Sequence, residues 1–214
     1  MMALLKPIEK EIEKLREFES KISTERKKIL NSFANYISAK LAKDETVNLI
    51  FICTHNSRRS IMAQVWAQTA SKYFGIKNIQ FYSGGTEVTA FNPNAVKAIT
   101  DLGFEVKKSG EEKNPLYLVY YSKEEEALKC FSKIYTDKFN PQNNFAAIVT
   151  CSDADKNCPV VIGAEARFSV NYNDPKEFDG TALQEEKYSE RFAEIGREML
   201  YVFEKVNATV LSNR

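Results

Sequence analysis

The sequence predicts an α/β fold: a doubly wound parallel sheet with an N-terminal helical arm and an inserted β-hairpin. Three observations predict it. Short β-branched runs at 47–52, 79–83 and 145–150 alternate with helical periodicities, as in a parallel sheet covered on both faces. The chain before residue 45 carries apolar positions at steps of three and four and no strand pattern. Two further apolar runs, 116–121 and 128–135, are joined by the acidic Lys123-Glu124-Glu125-Glu126 and interrupt the alternation. The expected organisation is an arm at 1–45 and an α/β domain at 46–214, with an insertion at 109–144.

In the arm, Leu4, Ile8, Ile12, Leu15, Phe18 and Ile22, then Leu30, Phe33, Ile37 and Leu41, make two amphipathic helices, about 5–20 and 24–43. Capping residues between Ser20 and Thr24 separate them. The arm either covers core surface or offers an interface for a partner or a homodimer. Residues 47–52 form a strand, and residues 60–74 a helix whose buried face includes Met62 or Ala63, Trp66 and Tyr73. The strand at 79–83 ends in Gly84-Gly85. Asn92-Pro93 opens a helix through Leu102, with Pro93 suited to its first turn, and Gly103 stops it. After the strand at 145–150 come a polar stretch expected to be flexible (152–157), a short strand near 166–170 and a final helix from about 184 to 206.

Of 214 residues, 43% are hydrophobic and 28% charged, enough apolar content for one sizeable core. The formal charge of +1 gives no pull toward nucleic acid or an anionic membrane surface. No run of 18 apolar residues suggests a membrane span, and residues 1–20 lack the apolar centre of a signal peptide. The expectation is a cytoplasmic protein whose cysteines (Cys53, Cys130, Cys151 and Cys158) are reduced at rest. One histidine and no Cys-x2-Cys pair argue against a metal site.

The chemistry concentrates where the first strand ends: Cys53-Thr54-His55-Asn56-Ser57-Arg58-Arg59-Ser60. A loop that opens a helix turns backbone N–H groups toward a tetrahedral anion. The helix N-terminus and Arg59 both favour a thiolate at Cys53, and Arg59 can grip two anion oxygens at once. Thr54, His55, Asn56, Ser57, Arg58, Arg59 and Ser60 are the candidate oxyanion-binding residues. Cys151 also ends a strand, so both thiols share a rim if the two strands are neighbours. Cys158 follows the polar stretch and can reach Cys151 if that stretch bends. The plainer readings are a buried strand-end cysteine for Cys151, an incidental loop cysteine for Cys158 and simple packing for mid-strand Cys130. Asp174, in Asn173-Asp174-Pro175, is either a turn residue or an acid able to protonate a departing oxygen.

Cys53 to Ser60 resembles the Cys-x5-Arg-Ser phosphate loop of low-molecular-weight protein tyrosine phosphatases, and Tyr82-Ser83-Gly84-Gly85 with Asn92-Pro93-Asn94-Ala95 resembles that family's second segment. The string from Val149 to Pro159, with Cys151-Ser152-Asp153-Ala154-Asp155-Lys156-Asn157-Cys158-Pro159, resembles the thioredoxin-coupled arsenate reductases built on the same fold. The resemblance covers about 46–108 and 145–205. It implies a Cys53 nucleophile, an oxyanion held by Arg59 and the loop amides, and Asp174 as general acid. It also implies that Cys151 attacks the Cys53–arsenic adduct, arsenite leaves, and Cys158 then forms a Cys151–Cys158 disulfide that thioredoxin reduces. No cofactor is implied beyond an external thiol reductant such as thioredoxin. The substrate would be arsenate, or phosphate esters if the protein is a phosphatase with the same Cys53, Arg59 and Asp174. A third reading is an oxyanion-binding redox sensor. Arg58 and His55 depart from the family's usual cysteine and glycine. Gln64 stands where the reductases have a glutamate of a potassium site, which leaves open whether that ion carries over. Lys176-Glu177-Phe178 follows Pro175 where the phosphatases have tyrosines.

Overall fold

Seven residues rich in β-branched and aromatic side chains, Val47–Cys53, form strand β1 at the middle of a parallel sheet. The computed structural model describes residues 4–157 and 160–212. The chain runs α1 (Lys6–Glu17), α2 (Thr24–Leu41), β1, α3 (Arg59–Tyr73), β2 (Ile79–Gly85) and α4 (Pro93–Asp101). It continues through β3 (Glu105–Ser109), β4 (Leu116–Tyr120), β5 (Leu128–Cys130), β6 (Phe145–Val149), α5 (Ser152–Asn157), β7 (Ala164–Ser169) and α6 (Gln184–Ser212). A single 3₁₀ turn, Pro175–Phe178, lies between β7 and α6.

The main sheet has the order β2-β1-β6-β7, all parallel, as the alternating pattern predicts. Its register sets Cys53 beside Gly85 and Ile52 beside Val149, so β1 and β6 end together. Leu49 and Phe51 face one layer, where α3 and α6 supply Trp66, Phe192, Met199 and Phe203. The Trp66 ring stands 5.6 Å from Phe104 and 5.3 Å from Phe192. Ile50 and Ile52 face the other way, packed with Ala147 and Val161 and flanked by Tyr82 and Tyr135. No helix among the described residues is long and apolar enough to cross a membrane.

The two arm helices form where their periodicity places them. Pro7 sits in the first turn of α1, and the Ser23 hydroxyl caps α2 by accepting from Arg26 N at 3.2 Å. Their apolar stripes, Ile8, Ile12, Leu15, Leu30, Phe33 and Ile37, join the same core as α6. Most of the arm's stripe is thus covered within the chain, while Phe18 stays 45% exposed. The attachment is also polar: Arg26 Nε and Nη2 each donate to the buried Glu198 carboxylate at 2.8 Å.

The insertion departs from the expectation in two ways. The hairpin β4–β5 is present, and a third strand, β3, pairs antiparallel with β4. Glu-Val-Lys-Lys-Ser in β3 is almost wholly exposed and carries no apolar alternation to read. The second hairpin strand stops at Cys130 rather than 135. Phe131 to Tyr135 instead turns back to the main sheet, where Ile134 bridges Gly85 and Tyr135 N donates to Gly85 O at 2.9 Å. Gly84 permits this approach, since a Cβ there would overlap the Tyr135 backbone. Residues 152–157 are the helix α5 rather than a flexible stretch.

Removing Arg26 leaves Glu198 buried without its cation. The Arg26→Ala protein is expected to lose about 3–5 kcal/mol of stability, measured by urea denaturation; a loss within ~0.5 kcal/mol would show that the pair does not anchor the arm.

Candidate active site

The turn that follows β1 is held from outside by its carbonyls. Thr54 O accepts from Thr86 N and Glu87 N, both at 2.8 Å. His55 O accepts from Ser132 Oγ at 2.8 Å, and Ser57 O from Asn92 N at 3.0 Å. A trans peptide points its N–H opposite its C=O, so turning these carbonyls outward turns the neighbouring amides inward. That makes a concavity at the N-terminus of α3 whose amides have the arrangement an anion would require. Asn56 takes the left-handed conformation the turn needs (φ 45°) and is fully buried. Its side chain accepts from Lys133 N at 3.1 Å and donates to Ser60 Oγ at 2.8 Å. With that lone pair engaged, the Ser60 hydroxyl hydrogen is free to point at Cys53 Sγ, 3.1 Å away. Gly85 lies against the loop so closely that a Cβ would come within 2.6 Å of Thr54 O.

Arg59 and Asp174 meet over this turn. Arg59 is buried, with Nη1 donating to Tyr172 O at 3.0 Å and Nη2 to Asp174 Oδ2 at 2.5 Å. Its Nε is buried without a partner among the described residues, a donor still available to an anion. Asp174 caps the 3₁₀ turn, Oδ1 accepting from Lys176 N at 3.1 Å. Arg58 lies on the other side of that carboxylate: Nε donates to Tyr188 Oη at 2.7 Å and stands 4.0 Å from Asp174 Oδ1, and Nη2 donates to Asp179 Oδ2 at 3.3 Å. His55 is part-exposed, its Nε2 3.4 Å from Glu87 Oε2. Phe178 lies in the turn after Pro175, under Lys187 Nζ at 5.8 Å from the ring centroid. Gln64 donates to Phe81 O at 3.0 Å and keeps Oε1 buried without a partner among the described residues. A lone neutral acceptor does not make a cation site.

Because β1 and β6 are neighbours, Cys53 and Cys151 pack together in one small cluster with Val149 and Ala154. Cys151 is wholly buried, 3.5 Å from Thr54 Oγ1, and accepts from Ala154 N at 3.4 Å. Helix α5 leads away from it and is fastened by Asp155. Asp155 Oδ1 accepts from Arg167 Nη2 at 2.5 Å and Ser169 Oγ at 2.6 Å, and Oδ2 from Asn171 Nδ2 at 2.9 Å. Burial disfavours the Asp155 charge, but these hydrogen bonds outweigh it and hold the carboxyl below its ordinary range. Cys158 lies outside the described residues. Cys130 is buried in the core, where desolvation pushes its thiol up to about 12, against a smaller opposing effect of Lys133. That is the environment of a packing cysteine.

Residues 48–114 match the family described as low molecular weight phosphotyrosine protein phosphatase. The arsenate reductase of Bacillus subtilis is 30% identical over 141 residues, 66% of this chain and 81% of that protein. The chain belongs to this family. Arsenate reductase 2 of Staphylococcus haemolyticus is 33% identical over 128 residues, 59% of this chain and 77% of that protein. Among solved structures, an arsenate reductase from Archaeoglobus fulgidus aligns at a TM-score of 0.44 and 16% identity, covering 73% of this chain and 98% of that one.

Several residues that build the site carry no signal in the family's motifs. Ser132 and Lys133 hold the phosphate loop from the insertion, and Tyr188 and Asp179 hold Arg58. Arg26 of the arm lies 4.8 Å over the Tyr172 ring, behind the carbonyl that Arg59 uses. Only Ser132 had a local cue, a polar residue inside an apparent strand.

Asp155 has a lowered folded pKa, so its stabilisation is full above the unfolded value near 3.9 and lost as pH falls through the lower folded value. The stability gap between wild type and Asp155→Ala is expected to be widest at pH 7 and to narrow below about pH 4. Urea midpoints at pH 7, 4 and 3 measure it, and a pH-independent gap refutes the assignment.

Proposed function

We propose that this protein reduces arsenate to arsenite by a thiol cascade, in a cytoplasm that keeps its cysteines reduced. The observation that carries the reading is the packing of two thiols, Cys53 and Cys151, at the ends of adjacent strands beside the Arg59 cradle. The relatives named arsenate reductase point the same way.

Arsenate enters the concavity, where the amides and Arg59 take its oxygens. The Cys53 thiolate forms a bond to arsenic, and an arsenate oxygen departs as water with the proton of Asp174. Arg59 turns from Asp174 to the anion at this stage, which frees the carboxyl for the leaving oxygen. The Cys151 thiolate then attacks Cys53 Sγ. A sulfur–sulfur bond forms, the sulfur–arsenic bond breaks, and its electron pair stays on arsenic, which leaves as arsenite. Cys158 attacks Cys151 Sγ, returning Cys53 as thiolate and passing the disulfide to an external dithiol, for which thioredoxin fits.

A phosphatase would use Cys53, Arg59 and Asp174 alike and need neither Cys151 nor Cys158. The discriminating measurement pairs arsenite formation with thioredoxin against hydrolysis of an aryl phosphate. Wild type is expected to turn over arsenate, Cys53→Ser to lose both reactions, and Cys151→Ser and Cys158→Ser to lose sustained arsenite production. Robust arsenate turnover by Cys158→Ser overturns the cascade. Efficient aryl phosphate hydrolysis without any arsenite from wild type makes the protein a phosphatase.

A further inference from the structure

We infer that Arg58 is a positioning residue that ties the turn carrying Asp174 to the phosphate loop, rather than a ligand of the anion. This rests on the reading of Asp174 as the acid. Asp174 and Asp179 bracket the 3₁₀ turn Pro175–Phe178, closed by Asp174 Oδ1 on Lys176 N and by Asp179 N donating to Lys176 O at 3.0 Å. Two consecutive arginines grip the two ends of that turn. Arg59 holds Asp174, and Arg58 holds Asp179.

The Arg58 grip is a closed ring of donors and acceptors. Arg58 Nε donates to Tyr188 Oη, Tyr188 Oη donates to Asp179 Oδ1 at 2.7 Å, and Arg58 Nη2 donates to Asp179 Oδ2. Burial first, and then the Asp179 hydrogen bond, push the Tyr188 hydroxyl up to about 12, which keeps it a neutral donor. Asn94 Nδ2 reaches the same Asp179 oxygen at 3.3 Å, and Gln184 links Asn94 to Gly180 N, so α4 and α6 both brace the turn. The Arg58 side chain is only 11% exposed, and its charge is met by Asp179 at 3.3 Å and, more distantly, by Asp174 at 4.0 Å. An anion in the concavity draws Arg59 away from Asp174. The Arg58–Asp179 grip is what then keeps the acid in place.

The test compares wild type, Arg58→Met, Arg58→Lys, Asp179→Asn and Tyr188→Phe in three measurements. Inorganic phosphate is titrated calorimetrically. Phenyl phosphate, whose leaving group needs the acid, is compared with 2,4-dinitrophenyl phosphate, whose leaving group does not. Amide exchange is followed across residues 176–181. Arg58→Met is expected to keep phosphate affinity within about threefold. It is expected to slow phenyl phosphate at least tenfold and the dinitrophenyl ester less than threefold, and to speed exchange in the turn. Asp179→Asn should copy this pattern and Arg58→Lys should recover part of it. A merely structural role would slow both esters equally, and an anion ligand would weaken phosphate at least tenfold with Asp179→Asn silent; either result overturns the inference. If wild type turns over neither ester nor arsenate, the reading of the site fails, while phosphate titration and exchange still decide whether Arg58 is a ligand or a tether.

Discussion

The structure around the site depends on one constraint: a loop that presents its amides to an anion must find outside partners for its carbonyls. A carbonyl left unmatched away from water costs about 1–3 kcal/mol. The connection from β2 to α4 answers for Thr54 and Ser57, and the insertion answers for His55. The approach of Phe131 to Tyr135 to the main sheet follows from this. Gly84 and Gly85 are bare where that segment and the phosphate loop crowd the end of β2. The insertion, far from being an ornament on a smaller fold, supplies part of the loop's outer wall.

The arm reaches the site by a second route. Arg26 leaves α2, pairs with Glu198 on α6 and lies over the ring of Tyr172. The carbonyl of Tyr172 orients Arg59, and two residues later Asp174 takes the other branch of the same guanidinium. A hydrophobic pair of similar size could bind the arm as well, since a buried ion pair gives up solvation for its attraction. What an ion pair adds is register: only one seating of α2 on α6 satisfies both donors of Arg26, and that seating sets the plane behind Tyr172.

What could be read from the sequence was local. The strand–loop–helix at Cys53, the Asn92 cap with Pro93, and the arm's two periodic stripes all formed where residue order alone places them. Alternation and crossover handedness pointed to a parallel sheet, but that β1 and β6 are neighbours, with Cys53 and Cys151 in one cluster, is seen only in the structure. Signals failed where stability comes from partners distant in sequence. β3 is polar and exposed, so nothing in its alternation marks it. α5 is too short for a period, and the oxygens of Asp155 that fasten it find donors 12 to 16 residues on. Arg58 looked like added charge for the anion because Asp179 lies 121 residues away and Tyr188 on another helix.

These fastenings bear on the proposed thiol steps. Cys53 and Cys151 lie in one small buried cluster at the ends of adjacent strands, which places the two thiols of the first exchange in the same corner of the fold. The helix after Cys151 is fastened by Asp155 to Arg167, Ser169 and Asn171, so any opening of α5 must break those bonds. Cys151 also gives up a contact when it reacts, since its sulfur accepts from Ala154 N in the first turn of α5. In the proposed cascade, a disulfide at Cys151 changes the sulfur that this amide faces at the start of α5.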